Sequence, residues 1–319
     1  MALLLQIIYG EIFALDLNRT HTFTLTALAV AFLFCSAARL SAAELVVVKS
    51  SMIKPYNDAL EGFKSTCMCS VTELNLPETG EENILERINR TKPDGVLAIG
   101  IDALKIVAKT NNLPIFYTMV TEYGSEVSTN FKRFSGVSMD ILPEVYLRHM
   151  KDLFPAANRI GIIYSKQNTG KLVKAAAAVS RSFGLEIVAR EVSGPGEVPA
   201  VIESFKGRID MFWMVPDTMV VTPQTIDAML LFSFQHMVPV FSFSGKYVKM
   251  GALASLNADP FSLGARTGEL AEKKLNDGSY ENPEHVHPAK VILTINKKVA
   301  EKFGLPRNSG IFRKADEVY

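Results

Sequence analysis

The feature that most constrains this fold is a local pattern that the chain begins twice. From Asn158 the sequence NRIGIIYSKQNT opens with an apolar run, Ile160 to Tyr164, then turns through the polar stretch Ser165 to Gly170. Such a run suits a strand buried on both faces, as in a parallel sheet. A helical stretch from Lys171 to Phe183 follows, Gly184 sits where a helix usually stops, and a new strand, Leu185 to Val192, begins at once. Leu45 to Leu76 makes a similar unit, with strand LVVVK, polar turn SSMIKPY, helix NDALEGFKS and strand SVTELNL. Two α/β winds in one chain predict two parallel sheets. Ligands of such sheets lie at the carboxyl ends of the strands, so two sets of ends that face each other would enclose a cleft.

The rest of the chain continues both winds. Glu81 to Thr91 has helical spacing, Gly95 to Ile99 reads as a buried strand, Asp102 to Thr110 as a helix and Leu113 to Val120 as a strand. Alternating short strands and helices are the mark of a parallel sheet covered on both faces. Thr121 to Arg133 is polar and reads as a loop, and Phe134 to Met139 as a strand leading out of the first lobe. In the second half, helices are expected at Leu142–Phe154, Val198–Phe205, Thr222–Gln235 and Asp259–Asn276. Strands are expected at Met211–Val215, Val238–Phe243, Gly251–Leu256 and Lys290–Ile295, with a last helix at Lys297–Phe303 and a loosely held tail from Pro306.

A net charge of +1 and no polybasic run argue against nucleic acid as a partner. At the N-terminus, Arg19 and His21 precede an apolar run from Phe23 to Phe34, and Ser41-Ala42-Ala43 supplies small residues for cleavage. This is a secretory leader pattern over residues 1–43, with cleavage expected near Ala43 and an uncleaved N-terminal anchor as the other reading. Phe34 before Cys35 argues against a lipoprotein site. Cys67 and Cys69 are read as two small residues near a helix end, since a bridge across a single residue is geometrically demanding.

Motifs for chemistry fail one by one. Gly170-Lys171 lacks the phosphate-loop glycine, with Ser165 in its place, and lacks the following hydroxyl, with Leu172 there. Gly194-Pro195-Gly196 starts like a dinucleotide fingerprint, but Pro199 takes the third glycine position. Ser242-Phe243-Ser244-Gly245 lacks the first glycine of a nucleophile elbow. His285-Val286-His287 has no accompanying carboxylate or cysteine cluster and reads as a solvated loop, while His236 reads as a partner of a helix dipole. No catalytic set, metal site or cofactor is expected.

What remains is a set of polar residues just past the strand ends: Ser50, Ser51, Asp102, Thr118 and Thr121 in the first wind. The second contributes Ser165, Asn168, Thr169, Asp217, Thr218, Ser242, Ser244, Asn257 and Asp259. Each alone suits a turn or cap, but together they can orient a polar ligand, with Tyr117, Tyr164, Phe241 and Phe243 as apolar walls.

Several spaced segments then converge: Pro155 to Tyr164 (PAANRIGIIY), Pro239-Val240-Phe241, Lys249 to Ala254 (KMGALA), and Asp259 with Leu263-Gly264. The pattern, over nearly the whole chain after the leader, resembles the ABC-transporter substrate-binding proteins of the type I periplasmic-binding fold, in the branch that includes aromatic amino acid binders. The resemblance implies two doubly wound parallel-sheet lobes joined by a three-crossing hinge, with the ligand cleft between them. It implies an exported, periplasmic receptor, expected as a monomer, that delivers an amino acid or related polar solute to an ABC permease. Carried over by position, Tyr164, Asn168, Thr169, Asp259 and the Pro216-Asp217-Thr218 turn would face the ligand. The family's Thr-Pro and Pro-Thr-Asp turns stand here as Ile101-Asp102 and Pro216-Asp217-Thr218. The acidic pair Asp102 and Asp217 points away from an unmodified aromatic amino acid and toward an amine or a polyhydroxyl ligand.

The crossings are expected near Val137–Ile141, Leu256–Ala258 and Asn282–Pro288. Lobe 1 would then span residues 45–138 plus 258–282, and lobe 2 residues 141–256 plus 288–305, with 306–319 as the tail. Asp259 has two competing roles, a helix N-cap before Pro260 or a hinge contact to the ligand. A sensory receptor that signals to a membrane kinase or chemoreceptor would need the same closing cleft.

Overall fold

The computed structural model describes residues 42–110, 113–121, 134–279, 282–306 and 310–319. The expected leader and most of the loop read at Thr121 to Arg133 lie outside the described residues. The first wind runs β1 (Glu44–Lys49), α1 (Lys54–Thr66), β2 (Ser70–Asn75), α2 (Glu81–Thr91), β3 (Gly95–Ile99), α3 (Ile101–Val107), β4 (Ile115–Val120) and β5 (Phe134–Ser138). The chain then enters the second wind: α4 (Pro143–Leu153), β6 (Arg159–Tyr164), α5 (Gly170–Val179), β7 (Glu186–Glu191), α6 (Val198–Glu203) and β8 (Met211–Trp213). It continues through α7 (Pro223–His236), β9 (Val240–Ser242), α8 (Gly245–Met250) and β10 (Ala254–Ala258). It returns to the first lobe with α9 (Pro260–Asp277) and β11 (His285–Val286). It ends in the second with β12 (Val291–Ile295), α10 (Lys297–Lys302), α11 (Ile311–Lys314) and β13 (Glu317–Val318).

Two sheets result, in the orders β11-β5-β4-β3-β1-β2 and β13-β12-β10-β9-β8-β6-β7. Every pairing in the first is parallel. In the second only β10 with β12 is antiparallel. The apolar runs are buried on both sides, as their lack of alternation requires. Val46 and Val48 of β1 enter one core while Leu45 and Val47 enter the core on the opposite face. In the second sheet Ile160, Ile162 and Trp213 pack on one face, and Ile163, Phe212 and Val240 on the other. Each sheet is thus doubly wound, and the lobes are connected at residues 139–142, 258–260 and 287–290.

Four readings of the sequence are corrected. His285-Val286-His287 is not a solvated loop. Its first two residues form edge strand β11 beside β5, Gly136 N donates to Glu284 O at 2.9 Å, and His285 Nδ1 lies 2.9 Å from the Tyr117 hydroxyl. The tail is not loose: β13 pairs with β12, Lys297 N donates to Tyr319 O at 2.7 Å, and Ile311 is buried in the second-lobe core. Cys67 and Cys69 form a disulfide, with Cα atoms 5.3 Å apart. Gly251 does not open a strand. It closes helix α8 at φ 126°, and β10 begins only at Ala254.

Candidate functional site

The carboxyl ends of β1, β3 and β4 in one sheet and of β6, β8, β9 and β10 in the other carry the polar residues singled out above. The structure sorts them into groups with different work. The largest group surrounds Asp217, which is buried just past β8. Its carboxylate accepts from Ser165 N (2.7 Å), Thr169 Oγ1 (2.6 Å), Asn168 Nδ2 (3.0 Å), Met219 N (3.0 Å) and the Ser165 hydroxyl (2.9 Å). Burial alone would push the Asp217 carboxyl up, but these donors outweigh it and hold it below the ordinary carboxylate range. Thr218 is exposed and accepts from Asn168 Nδ2 at 3.2 Å. Asp217 therefore ties the β6–α5 turn to the β8 turn through both of its carboxylate oxygens.

The remaining second-lobe hydroxyls also have partners within their own lobe. Buried Ser242 donates to Ser244 O and Ala254 O, both at 3.2 Å. Ser244 caps α8, accepting from Lys246 N at 3.4 Å. Tyr164 donates its hydroxyl to Glu191 Oε2 at 3.3 Å, and burial followed by that glutamate raises its phenol. In the first lobe, Ser50 Oγ accepts from Ala103 N at 2.8 Å in the first turn of α3. Gly100 makes this turn possible: its φ is +94°, and a Cβ there would stand 2.6 Å from Ser50 Oγ and 2.7 Å from the Tyr56 hydroxyl. Asp102 is exposed in the first turn of α3, and Ser51 is half-buried between β1 and α1. Thr118 is fully buried, with its hydroxyl unpartnered among the described residues.

The cap role expected of Asp259 is not filled by its side chain: the residue occupies the N-cap position of α9, yet that side chain makes no cap hydrogen bond. Instead its Oδ2 lies 2.7 Å from Lys290 Nζ, and its N–H donates to Lys290 O at 3.3 Å. Asp259 is on the second crossing and Lys290 on the third, so this pair fastens one crossing to the other.

A cavity of about 370 Å³ lies where the crossings meet. From the first lobe it is lined by Ile53, Pro55 and Tyr56 at the start of α1, and by Met119 and Thr121 at the end of β4. From the second it is lined by Tyr146 of α4, Pro216 past β8 and Phe243 past β9. The first crossing adds Met139, Asp140 and Ile141, and the second adds Leu256, Asn257, Ala258 and Pro260. Of the residues singled out in the sequence, Thr121, Phe243 and Asn257 line this space; Asp102 lies near one of its walls, where its charge, after burial, raises the Tyr56 phenol.

Sequence reasoning missed Tyr56, Met119, Asp140 and Tyr146. Met119 sits on a register shift between Thr118 and Val120, at φ +57°. A β-branched-rich strand with a non-glycine residue in the left-handed region is the kind of local strain that re-aims a side chain at a site. Asp140 had a visible signal, a carboxylate inside an expected crossing and just before Pro143 at a helix start. Its setting was not visible. Asp140 N donates to Ser138 Oγ at 3.2 Å, and Asp140 O accepts from His287 Nδ1 at 3.1 Å, which binds the first crossing to the third. Tyr146, buried behind it, donates to Leu256 O at 3.4 Å, and its phenol is raised by burial and then by the Asp140 charge.

Among the described residues there is no group of three metal-ligating side chains, and no helix is long and apolar enough to cross a membrane. Residues 77–319 match the family described as ABC transporter substrate binding protein. A tyrosine-binding protein of Clostridioides difficile is 28% identical over 243 residues, spanning 72% of this chain and 69% of that protein. The structure of an ABC domain in complex with L-Trp from Streptococcus pneumonia superposes with a TM-score of 0.60 at 18% identity, over 88% of this chain and 100% of that one. The ligand-free, open structure of a substrate-binding protein with adhesive properties from Clostridium difficile reaches 0.71 at 19% identity, over 87% and 99%. The solved structures share the two-lobed type I periplasmic-binding architecture. With three quarters of its length matched to one family and the same two-sheet architecture, this chain belongs to the ABC transporter substrate-binding proteins.

Proposed function

We propose that the protein is exported, captures a small solute between its lobes and delivers it to an ABC importer. The observation that carries this reading is the cavity at the crossings, bounded by strand ends of both sheets. A ligand there touches both lobes at once, so its binding energy favours the closed arrangement, and closure is the signal a partner permease can read. The volume of about 370 Å³ suits a molecule the size of an amino acid or a related amine. The tyrosine-binding relative and the L-Trp complex support that class. The protein acts as a monomer outside the cytoplasmic membrane, after its leader is removed near Ala43. It binds without turnover.

The test is a thermal-shift screen of the purified protein against amino acids, amines, sugars and nucleosides. A true ligand at 100 times its dissociation constant stabilises by ~2.7 kcal/mol and raises the melting temperature accordingly. A solute returned chemically altered, or no stabilisation by any solute class, would count against the reading. Export is checked by N-terminal sequencing of the secreted chain, expected to begin at Glu44.

A further inference from the structure

We infer that the Cys67–Cys69 bridge is a thiol–disulfide exchange site that takes a small thiol at Cys69, a property separate from the solute cleft. The bridge joins the end of α1 to the residue before β2, with the single residue Met68 between. Met68 is 79% exposed, so the turn stands out into solvent. The two cysteines are not equally placed. Cys67 is 6% exposed and belongs to the first-lobe core with Phe63 and Ala271, while Cys69 is half-buried at the margin of that core. Exchange needs a thiolate to reach one of the two sulfurs, and access therefore favours Cys69.

The bridge is not needed as a staple. A loop closed across one residue removes less freedom from the unfolded chain than any longer loop. The elements it joins are fixed without it. β2 pairs with β1 along its whole length, from Glu44 opposite Ser70 to Lys49 opposite Asn75. Lys64 Nζ of α1 and Lys49 Nζ of β1 lie 2.5 and 3.3 Å from the Glu73 carboxylate of β2. The turn has its own hydrogen bonds: Cys67 N donates to Phe63 O at 3.0 Å, Met68 N to Glu272 Oε2 of α9 at 2.9 Å, and Ser70 N to Ala43 O at 2.9 Å. Opening the S–S bond leaves these contacts in place. The two thiols then stay side by side, and the bridge closes again within the folded protein.

In the first step a small thiolate attacks Cys69 Sγ, a new S–S bond forms, and the old one breaks with its electron pair on Cys67 Sγ, which takes up a proton. A second small thiolate attacks the small-thiol sulfur of this mixed disulfide. The electron pair leaves on Cys69 Sγ, which is protonated, and a small disulfide departs. Two small thiols are oxidised, and the bridge gains two electrons and two protons. A small disulfide drives the same steps in reverse.

The experiment exposes the folded protein to ~10 mM reduced glutathione without denaturant, stops exchange with acid, alkylates the free thiols and locates them by peptide mass spectrometry. The bridge is expected to open in most molecules within about an hour. With oxidised glutathione as the probe, Cys67→Ser should gain an adduct on Cys69 at least tenfold faster than Cys69→Ser gains one on Cys67. The double variant Cys67→Ala/Cys69→Ala should melt within about 5 °C of the parent. A bridge that stays closed until the protein unfolds overturns the inference, as does equal or faster modification of Cys67. A larger fall in melting temperature, or a double variant that does not fold, makes the bridge a staple and also overturns it. Where a single variant does not fold, the position of the transient mixed disulfide in the parent, on Cys69 or on Cys67, decides the point of attack.

Discussion

Replacement of Gly264 by alanine tests the packing that holds the second crossing in place. Helix α9 crosses α1 so closely that a Cβ on Gly264 would stand 1.7 Å from Ala59 O and 2.6 Å from Ala59 C. Gly62 and Gly268 make the same kind of approach, at 2.0 Å to Phe261 O and 2.2 Å to Thr66 Oγ1. Ordinary carbon–oxygen contact begins near ~3.4 Å, so the methyl group forces the helices apart by roughly 1.5 Å, and the obstacle is backbone that no rotamer change can remove. Overpacking of this kind costs ~3 kcal/mol or more, and alanine's better helix propensity returns ~1 kcal/mol. The net loss of ~2 kcal/mol corresponds to a fall in melting temperature of about 4–8 °C for a chain of this size. The assay is thermal unfolding of Gly264→Ala beside Gly196→Ala, whose Cβ would meet nothing within 4 Å and which should melt within about 2 °C of the parent. Because Pro260 at the start of α9 lines the cavity, the first variant should also bind ligand more weakly. A Gly264→Ala protein that melts at or above the parent temperature would refute the reasoning.

Three further outcomes follow from the site. The folded-state pKa of Asp217 is lowered, so its contribution to stability is full above the unfolded value of about 3.9 and is lost as pH falls through the folded value. Acid unfolding scans should therefore show a steeper loss below about pH 4 in the parent than in Asp217→Asn, and Asp217→Ala should cost ~3 kcal/mol by stranding buried donors. Thr118→Val removes a buried, unpartnered hydroxyl and should leave denaturant stability unchanged or raise it by up to ~1 kcal/mol, a marked loss arguing for a hidden partner. Coupling between Asp259 and Lys290 in a double-mutant cycle should be small and fade at high salt, since the lysine is largely exposed. A large coupling that persists in salt would mean that the hinge pair is more shielded than its geometry indicates.

The two winds were legible because burial on both faces leaves a mark in the residues themselves. Runs such as Leu45–Val48 and Ile160–Ile163 have no polar side to present to water, so they require a covered parallel sheet wherever they occur. Glycine at an element end, as at Gly184, marked a boundary for an equally local reason. The short edge strands β11 and β13 were not legible, because two residues carry no period and owe their conformation to the strand beside them. The site divides along the same line. That polar residues cluster after strands is local, and two of them, Thr121 and Asn257, line the cavity. Which polar side chains line the cavity is not local: Asp217 and Asp140 are both carboxylates just beyond strands, yet one is bonded to the β6–α5 turn and the other stands on the cavity wall. Only the tertiary structure decides between them, because it alone brings Ser165, Asn168 and Thr169 to Asp217 across some fifty residues of chain, and His287 to the backbone of Asp140 across 147.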